Sequence, residues 1–312
     1  MEVQEYINNN MKNNYSKSKI TMISIIIIVK NELGIEATLK ALRLVKRPEK
    51  SEVIVVDASA GTLDNIKIKF PEAKWVNFVQ NPKKLISIPE QRNVGVKLAR
   101  GEIVVFIDAN CIPDRNWLIN LVNPIKNDGE KIVFGLAKSS KNKTIHDQYF
   151  DNISNQKYVD ELTTINLALR KDIFEQIGLF DEGFGYGEDI DFSWRCTDAG
   201  FRIRYEKRAI VSHDWGDTKR DVLRSFRYGE AKMQLYKKNK RRLSRLITKD
   251  YYVLIYSLFL LLSPITIFFP YYPLLLIIPF LKNMHEDPIN VIKSHLLYAS
   301  GFIYEFTNLL FA

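Results

Sequence analysis

Cysteine is nearly absent: the 312 residues hold two, Cys111 and Cys196, far apart and at no metal-ligand spacing. That excludes a disulfide framework and a cysteine-based zinc site, and it points to buried thiols in a reducing compartment. Met1 to Lys19 is polar, rich in Asn and Lys, and lacks the apolar core of a signal peptide, so it reads as a flexible leader. No glycine-rich loop follows the first apolar run, so the cradle that a nucleotidyltransferase offers a triphosphate is missing. No helix-turn-helix, RNP-like or zinc-finger pattern is found, so nucleic acid is not expected as a partner despite a net charge of +9. Charge itself is missing from Tyr251 to Leu281, a run of 31 residues.

What is present alternates. Apolar, β-branched runs at Met22 to Val29, Glu52 to Asp57, Trp75 to Val79 and Glu102 to Asp108 are separated by helical stretches at Glu32 to Val45, Leu63 to Phe70 and Pro89 to Arg100. Strand–helix alternation predicts a parallel sheet with crossover helices, and continuous apolar strands are those covered on both faces. Ligands of such sheets bind at the carboxyl ends of the strands, where Asp57 and Asp108 both fall. A less regular section follows from Asn116 to Trp215, with strand character at Lys131 to Ala137 and Thr163 to Leu169. Three glycines within Asp181 to Gly187 predict a mobile loop whose aromatics, Phe184 and Tyr186, could stack on a sugar. A helix is expected from Glu188 to a stop at Gly200, and another from Asp217 to Lys240.

Four constellations could carry chemistry. Asp108-Ala109-Asn110 sets two oxygen-bearing side chains at a strand end, as a Mg²⁺ or Mn²⁺ bridging to phosphate requires; alternatively Asp108 caps the next helix. Glu188 and Asp189 occupy a first helical turn, which the helix dipole favours by itself, while one of them facing a cleft would serve as a base. His213, after a short apolar run, is either a packed residue or a metal ligand. Gln91-Arg92-Asn93 near a helix start is a candidate anion site.

In this order the motifs resemble the family 2 glycosyltransferases of the GT-A fold. The pieces are IIIIVKNE (25–32), VIVVDAS (53–59), QRNVG (91–95), ARGEIVVFIDAN (99–110), NLALRKDIFEQIGLFDEGF (166–184) and EDIDFSWR (188–195). The resemblance implies an α/β nucleotide-diphospho-sugar transferase fold with a mostly parallel sheet flanked by helices. It implies nucleotide contacts from Val29, Glu32, Asp57, Arg92 and Asp108, and a divalent metal at Asp108, Asn110 and His213. It further implies Asp189 as the catalytic base of an inverting transfer, and Phe184, Tyr186, Glu188 and Trp194 on the acceptor side. Two departures stand out: Asn110 occupies the place of the usual last metal-motif Asp, and Asp57-Ala58-Ser59 keeps one acid where two are common. Asn110 also opens the alternative of a catalytically impaired sugar-nucleotide-binding partner.

The tail adds a membrane expectation. Tyr251 to Phe269 is long enough to cross the hydrocarbon core, but it contains Pro264 and is followed by Pro270 and Pro273. Lys237, Lys238, Lys240, Arg241, Arg242, Arg245 and Lys249 precede it, which sets that side as cytoplasmic. The expected organisation is a leader (1–19), a catalytic domain (20–240), and a basic linker with an apolar span or re-entrant hairpin and an interfacial helix (241–312). The expected partners are a nucleotide sugar, a glycan or lipid-linked acceptor, and a membrane.

Overall fold

The computed structural model describes residues 22–84, 86–140, 145–216, 218–284 and 287–311. The expected leader, 1–19, lies outside them. The first half is built as the alternation predicts. Strands β1 (Met22–Val29), β2 (Lys50–Asp57), β3 (Lys74–Asn77) and β4 (Ile103–Ile107) pair in parallel, in the order β3-β2-β1-β4. Helices α1 (Ile35–Leu44), α2 (Asp64–Lys67) and α3 (Ile88–Leu98) make the crossovers. Ile23, Ile25 and Ile27 alternate with Ile26 on opposite faces of β1, yet all four are buried, because helices cover both faces of this part of the sheet. The register sets Val29 beside Asp57. The carboxyl ends of β1, β2 and β4 therefore share one edge.

The sheet is not mostly parallel, however; beyond β4 it is mixed. Helices α4 (Trp117–Asn127) and α5 (Ile145–Ile153) separate the short β5 (Cys111–Pro113), β6 (Ile132–Ser139) and β7 (Tyr158–Val159). Strand β8 (Asn166–Arg170) inserts antiparallel between β4 and β6, and β9 (Ile203–His213) pairs parallel with β6 and antiparallel with β5 and β7. β9 carries Glu206-Lys207-Arg208 in its middle, which hides it in the sequence. The register against β6 jumps from Gly135↔Glu206 to Leu136↔Ile210, so the polar residues ride on a bulge. After β8 come α6 (Asp172–Ile177), the glycine-rich loop, and α7 (Glu188–Asp198), which starts at its expected residue.

Helix α8 (Thr218–Lys238) leads into the tail: α9 (Ser244–Thr248), α10 (Tyr251–Leu261), α11 (Ile277–Lys282) and α12 (Pro288–Phe311). The expected span Tyr251–Phe269 is not one helix. α10 stops at Leu261, and 3₁₀ turns at Ser263–Ile267 and Tyr272–Leu276 follow, each holding a proline near its start. Among the described residues no helix is long and apolar enough to cross a membrane. The run folds back instead. The Tyr272 ring stacks on Phe259 at 4.9 Å, and its hydroxyl donates to the Phe259 carbonyl at 2.9 Å. α12 lies along α8: a Cβ on Gly229 would strike the Tyr298 carbonyl, and one on Gly301 the Phe226 carbonyl, so the backbones approach as only glycine permits. A second apolar core, Phe184, Trp194, Leu235, Tyr236, Val253 and Phe302, joins the loop and α7 to this tail.

Candidate active site

One cleft opens at the carboxyl ends of β1 to β3 and another beside the glycine-rich loop. The larger, about 850 Å³, is lined among others by Lys30, Asp57, Gly61, Asn77 and Lys83. Asp57 is buried and its Oδ1 accepts the Ser59 N–H at 2.8 Å; Ser59 Oγ in turn accepts the Asn31 N–H at 2.7 Å. Asn31 (φ 55°) and Ala60 (φ 50°) both adopt left-handed backbone beside this cleft, conformations held there by the turns after β1 and β2. Val29 lies beneath, 3 % exposed, so only its backbone reaches the edge. Glu32 Oε1 accepts the Gly34 N–H at 3.1 Å where α1 begins. Of the five residues expected at the nucleotide, Asp57 alone lines this cleft.

Asp108 follows β4 directly, with about a third of its side chain exposed. Arg92, from α3, is buried; its guanidinium donates to Glu188 in a short contact and reaches Asp108 Oδ1 at 3.9 Å. Arg92 therefore does not point freely at a diphosphate as expected: its charge is held by Glu188. It instead brings together the strand-end motif and the EDIDFSWR motif, which are remote in the chain. His213, the last residue of β9, sets Nε2 4.0 Å from Asp108 Oδ2 and packs its ring 4.2 Å from that of Trp215. Asn110 uses its amide nitrogen on the Asp214 carbonyl at 2.8 Å, which leaves Oδ1 as its ligand atom.

Two ligand atoms about 2.1 Å from one Mg²⁺ can stand at most about 4.2 Å apart. The Asp108–His213 separation of 4.0 Å fits within that limit. No group of three His, Cys, Asp or Glu side chains that could hold a metal is found among the described residues. A metal here would thus be held by an acid, an imidazole and an amide, with substrate phosphates completing its coordination.

Asp189 sits in the first turn of α7, partly buried, with Oδ1 accepting the Ile190 N–H at 2.9 Å. Burial, and then the neighbouring Glu188 carboxylate, push its carboxyl up to about 7, against the pull of Arg92. Glu188 is raised as well, by burial foremost, although Arg92 opposes this. Gly187, at φ 80°, makes the turn that lets α7 start there, and a Cβ on it would press Leu235 at 3.1 Å.

The acceptor-side residues divide. Tyr186 is partly exposed, stands edge-on to Tyr228 at 5.2 Å, and lines a second cleft of about 230 Å³ with Lys84, Ile86, Arg227 and Gln234. Phe184 also borders it but is 5 % exposed and belongs to the second core. Trp194 is fully buried; its indole N–H donates to Glu161 at 2.9 Å, so it supports the motif from behind rather than meeting an acceptor. Glu188 is tied to Arg92 inside the protein. Sequence reasoning missed the groups that pin the loop. Asn93 is buried and holds Phe180 through both its N–H and its carbonyl, at 3.0 and 2.9 Å, and also Glu182 at 2.9 Å. Asn93 stood within the QRNVG motif; Lys84, which donates to the Glu182 carbonyl at 2.7 Å, carried no signal.

A strand order of 3-2-1-4 running on into a mixed sheet, with Asp57 and Asp108 at one edge, is an α/β architecture of the GT-A type. The profile of glycosyl transferase family 2 matches residues 24–181, about half the chain, and the protein belongs to that family. The matched stretch ends before Glu188. Glycosyltransferase AglE of Haloferax volcanii is 27% identical over 253 residues, which cover 76% of this chain and 82% of that protein. Among solved structures, the mannosyltransferase PcManGT of Pyrobaculum calidifontis, in complex with GDP-Man and Mn²⁺, superposes with a TM-score of 0.56 at 19% identity, over 77% of this chain and 71% of that one. GalNAc-T7 with UDP, GalNAc and Mn²⁺ gives a TM-score of 0.51 at 16% identity, over 64% of this chain and 44% of that one. At these identities the structural likeness is one of fold.

Proposed function

We propose that this glycosyltransferase moves a sugar from a nucleotide-diphosphate donor, a UDP-sugar foremost, to a hydroxyl of a lipid-linked or cell-envelope glycan, with inversion at the anomeric carbon. The observation that carries it is Arg92, which touches Glu188 and Asp108 at once and so sets the base motif against the strand end. The nucleotide occupies the cleft at Asp57 and directs its diphosphate toward Asp108. Asp108, Asn110 and His213 would hold a divalent Mg²⁺ or Mn²⁺, which would supply positive charge where the leaving diphosphate develops negative charge. Mn²⁺ in the two solved relatives supports that choice of metal. Asp189 accepts the proton of the acceptor hydroxyl as that oxygen attacks the face opposite the departing diphosphate. No acid is required for the leaving group, so one carboxylate suffices.

Asp189→Asn is expected to abolish transfer to hydroxyl acceptors while leaving nucleotide binding intact, read as UDP release with and without acceptor. Parental transfer to such acceptors by the variant overturns the base assignment. A polyprenyl phosphate acceptor is the second reading, since its oxygen is already ionised. It predicts that Asp189→Asn retains transfer to that acceptor alone.

The same reading places the protein at a membrane, catalytic side toward the cytoplasm, docked rather than spanning. Its support is the exposed, uncharged hairpin between α10 and α11, preceded by exposed cations, among them Lys237, Lys240 and Arg241.

A further inference from the structure

Lys238 ends α8, well beyond the stretch matched by the family. Its Nζ stands 2.6 Å from Asp181 Oδ2 and 2.8 Å from Asp191 Oδ1. Asp181 opens the glycine-rich loop. Asp191 is wholly buried on α7, two residues after Asp189. Asn239 adds its amide to the same Asp191 oxygen at 3.3 Å. The ammonium also lies 5.4 Å from the ring centroid of Phe184, in the middle of the loop. One cation thus touches the beginning of the loop, its centre and the helix that follows it.

Burial of Asp191 does not need this lysine, because Arg195 Nε already pairs with its other oxygen at 2.8 Å. What Lys238 adds is the bridge to Asp181. That bridge is about a third exposed at both ends, and such pairs contribute little to global stability. Its effect is geometric. Loop flexibility between Gly183 and Gly187 would otherwise be passed to the first turn of α7, where Asp189 sits.

We propose that Lys238 is a positioning residue for sugar transfer, locking the Asp181–Gly187 loop to the base-bearing helix so that an acceptor meets Asp189 in one register. This rests on Asp189 being the base. A small displacement of a base relative to its substrate costs roughly ten- to a hundredfold in rate. Water, small and abundant, is far less sensitive to that register than a glycan hydroxyl.

The test uses the full-length protein with Lys238→Met, Lys238→Arg and Asp181→Asn. Three readouts are compared: amide hydrogen exchange, transfer from UDP-sugars to a panel of octyl glycosides, and acceptor-free UDP release to water. Lys238→Met and Asp181→Asn are expected to speed exchange in residues 182–190, to lower transfer about tenfold or more, and to leave UDP release within about twofold. Lys238→Arg is expected to restore both. Unchanged exchange and transfer in Lys238→Met overturn the proposal, as does an equal loss of transfer and UDP release, which marks general damage. An Asp189→Asn protein that still transfers sinks the base assignment instead; the exchange data then decide alone whether Lys238 locks the loop.

Discussion

A base that is half ionised near pH 7 suits proton abstraction, because it accepts a proton readily and a useful share of it is in the ionised form. The cause here is local, a carboxyl largely withdrawn from water beside a second carboxylate. Transfer, as kcat/KM for the acceptor, is expected to rise with pH through about 7 and then level off. Glu188→Gln removes the neighbouring negative charge, so the rising limb should move to lower pH; a limb that stays in place refutes the coupling. The same burial has a stability signature. A carboxyl raised in the fold costs nothing below its unfolded value, near 3.8, and its penalty grows as pH climbs through about 7. Asp189→Asn should therefore raise the unfolding temperature at pH 8, and this gain should vanish toward pH 4. Motif order singled out Asp189 as the expected base. It did not show that Arg92 would pair with Glu188, since pairing across 96 residues leaves no local mark.

At the scale of elements, the parallel half was readable because runs such as IIIIV leave a strand no exposed face. β9 was not, because its bulge places charges where a strand pattern should alternate. The tail could be read as a span or as a Pro-bent hairpin for a related reason: hydropathy adds up along Tyr251 to Phe269, while Pro264 in the turn after Leu261 decides where the helix stops. The α8–α12 contact depends on two hydrogens in place of two methyl groups. Gly301→Ala, which adds a methyl against the Phe226 carbonyl, should force the helices apart and cost about 1–3 kcal/mol in urea unfolding. Because Phe302 and Phe184 share one core, acceptor transfer should fall with it. Loss of stability without loss of transfer would separate the tail from the loop.

On the scale of the whole molecule, the surface divides by solvent preference. The charge-free hairpin exposes Ile267 (80 %) and Phe268 (87 %) at its tip, among many large apolar neighbours. Exposed apolar patches of this kind mark contacts with membranes, proteins or ligands, and the reading proposed above assigns this one to lipid. The basic run before it at first suggests strong attraction to anionic lipid. The fold uses most of that charge internally: Lys238 pairs with Asp181, Arg242 with Asp198, Arg245 with Glu161, and Lys249 with Asp160. Exposed cations such as Lys237, Lys240 and Arg241 contribute about 1 kcal/mol each at an anionic surface, and salt screens that attraction. Apolar insertion should therefore dominate. The full chain is expected to float with vesicles containing phosphatidylglycerol and to stay largely bound when salt rises from about 0.1 to 1 M. Ile267→Glu with Phe268→Glu should release it while leaving the fold intact, because neither side chain packs in either core. Deleting the whole tail would be a poorer test, since Val253 and Phe302 belong to the core beneath the base motif. A chain that ignores vesicles and instead dimerises through this face, with the double variant monomeric, would assign the patch to a second protomer.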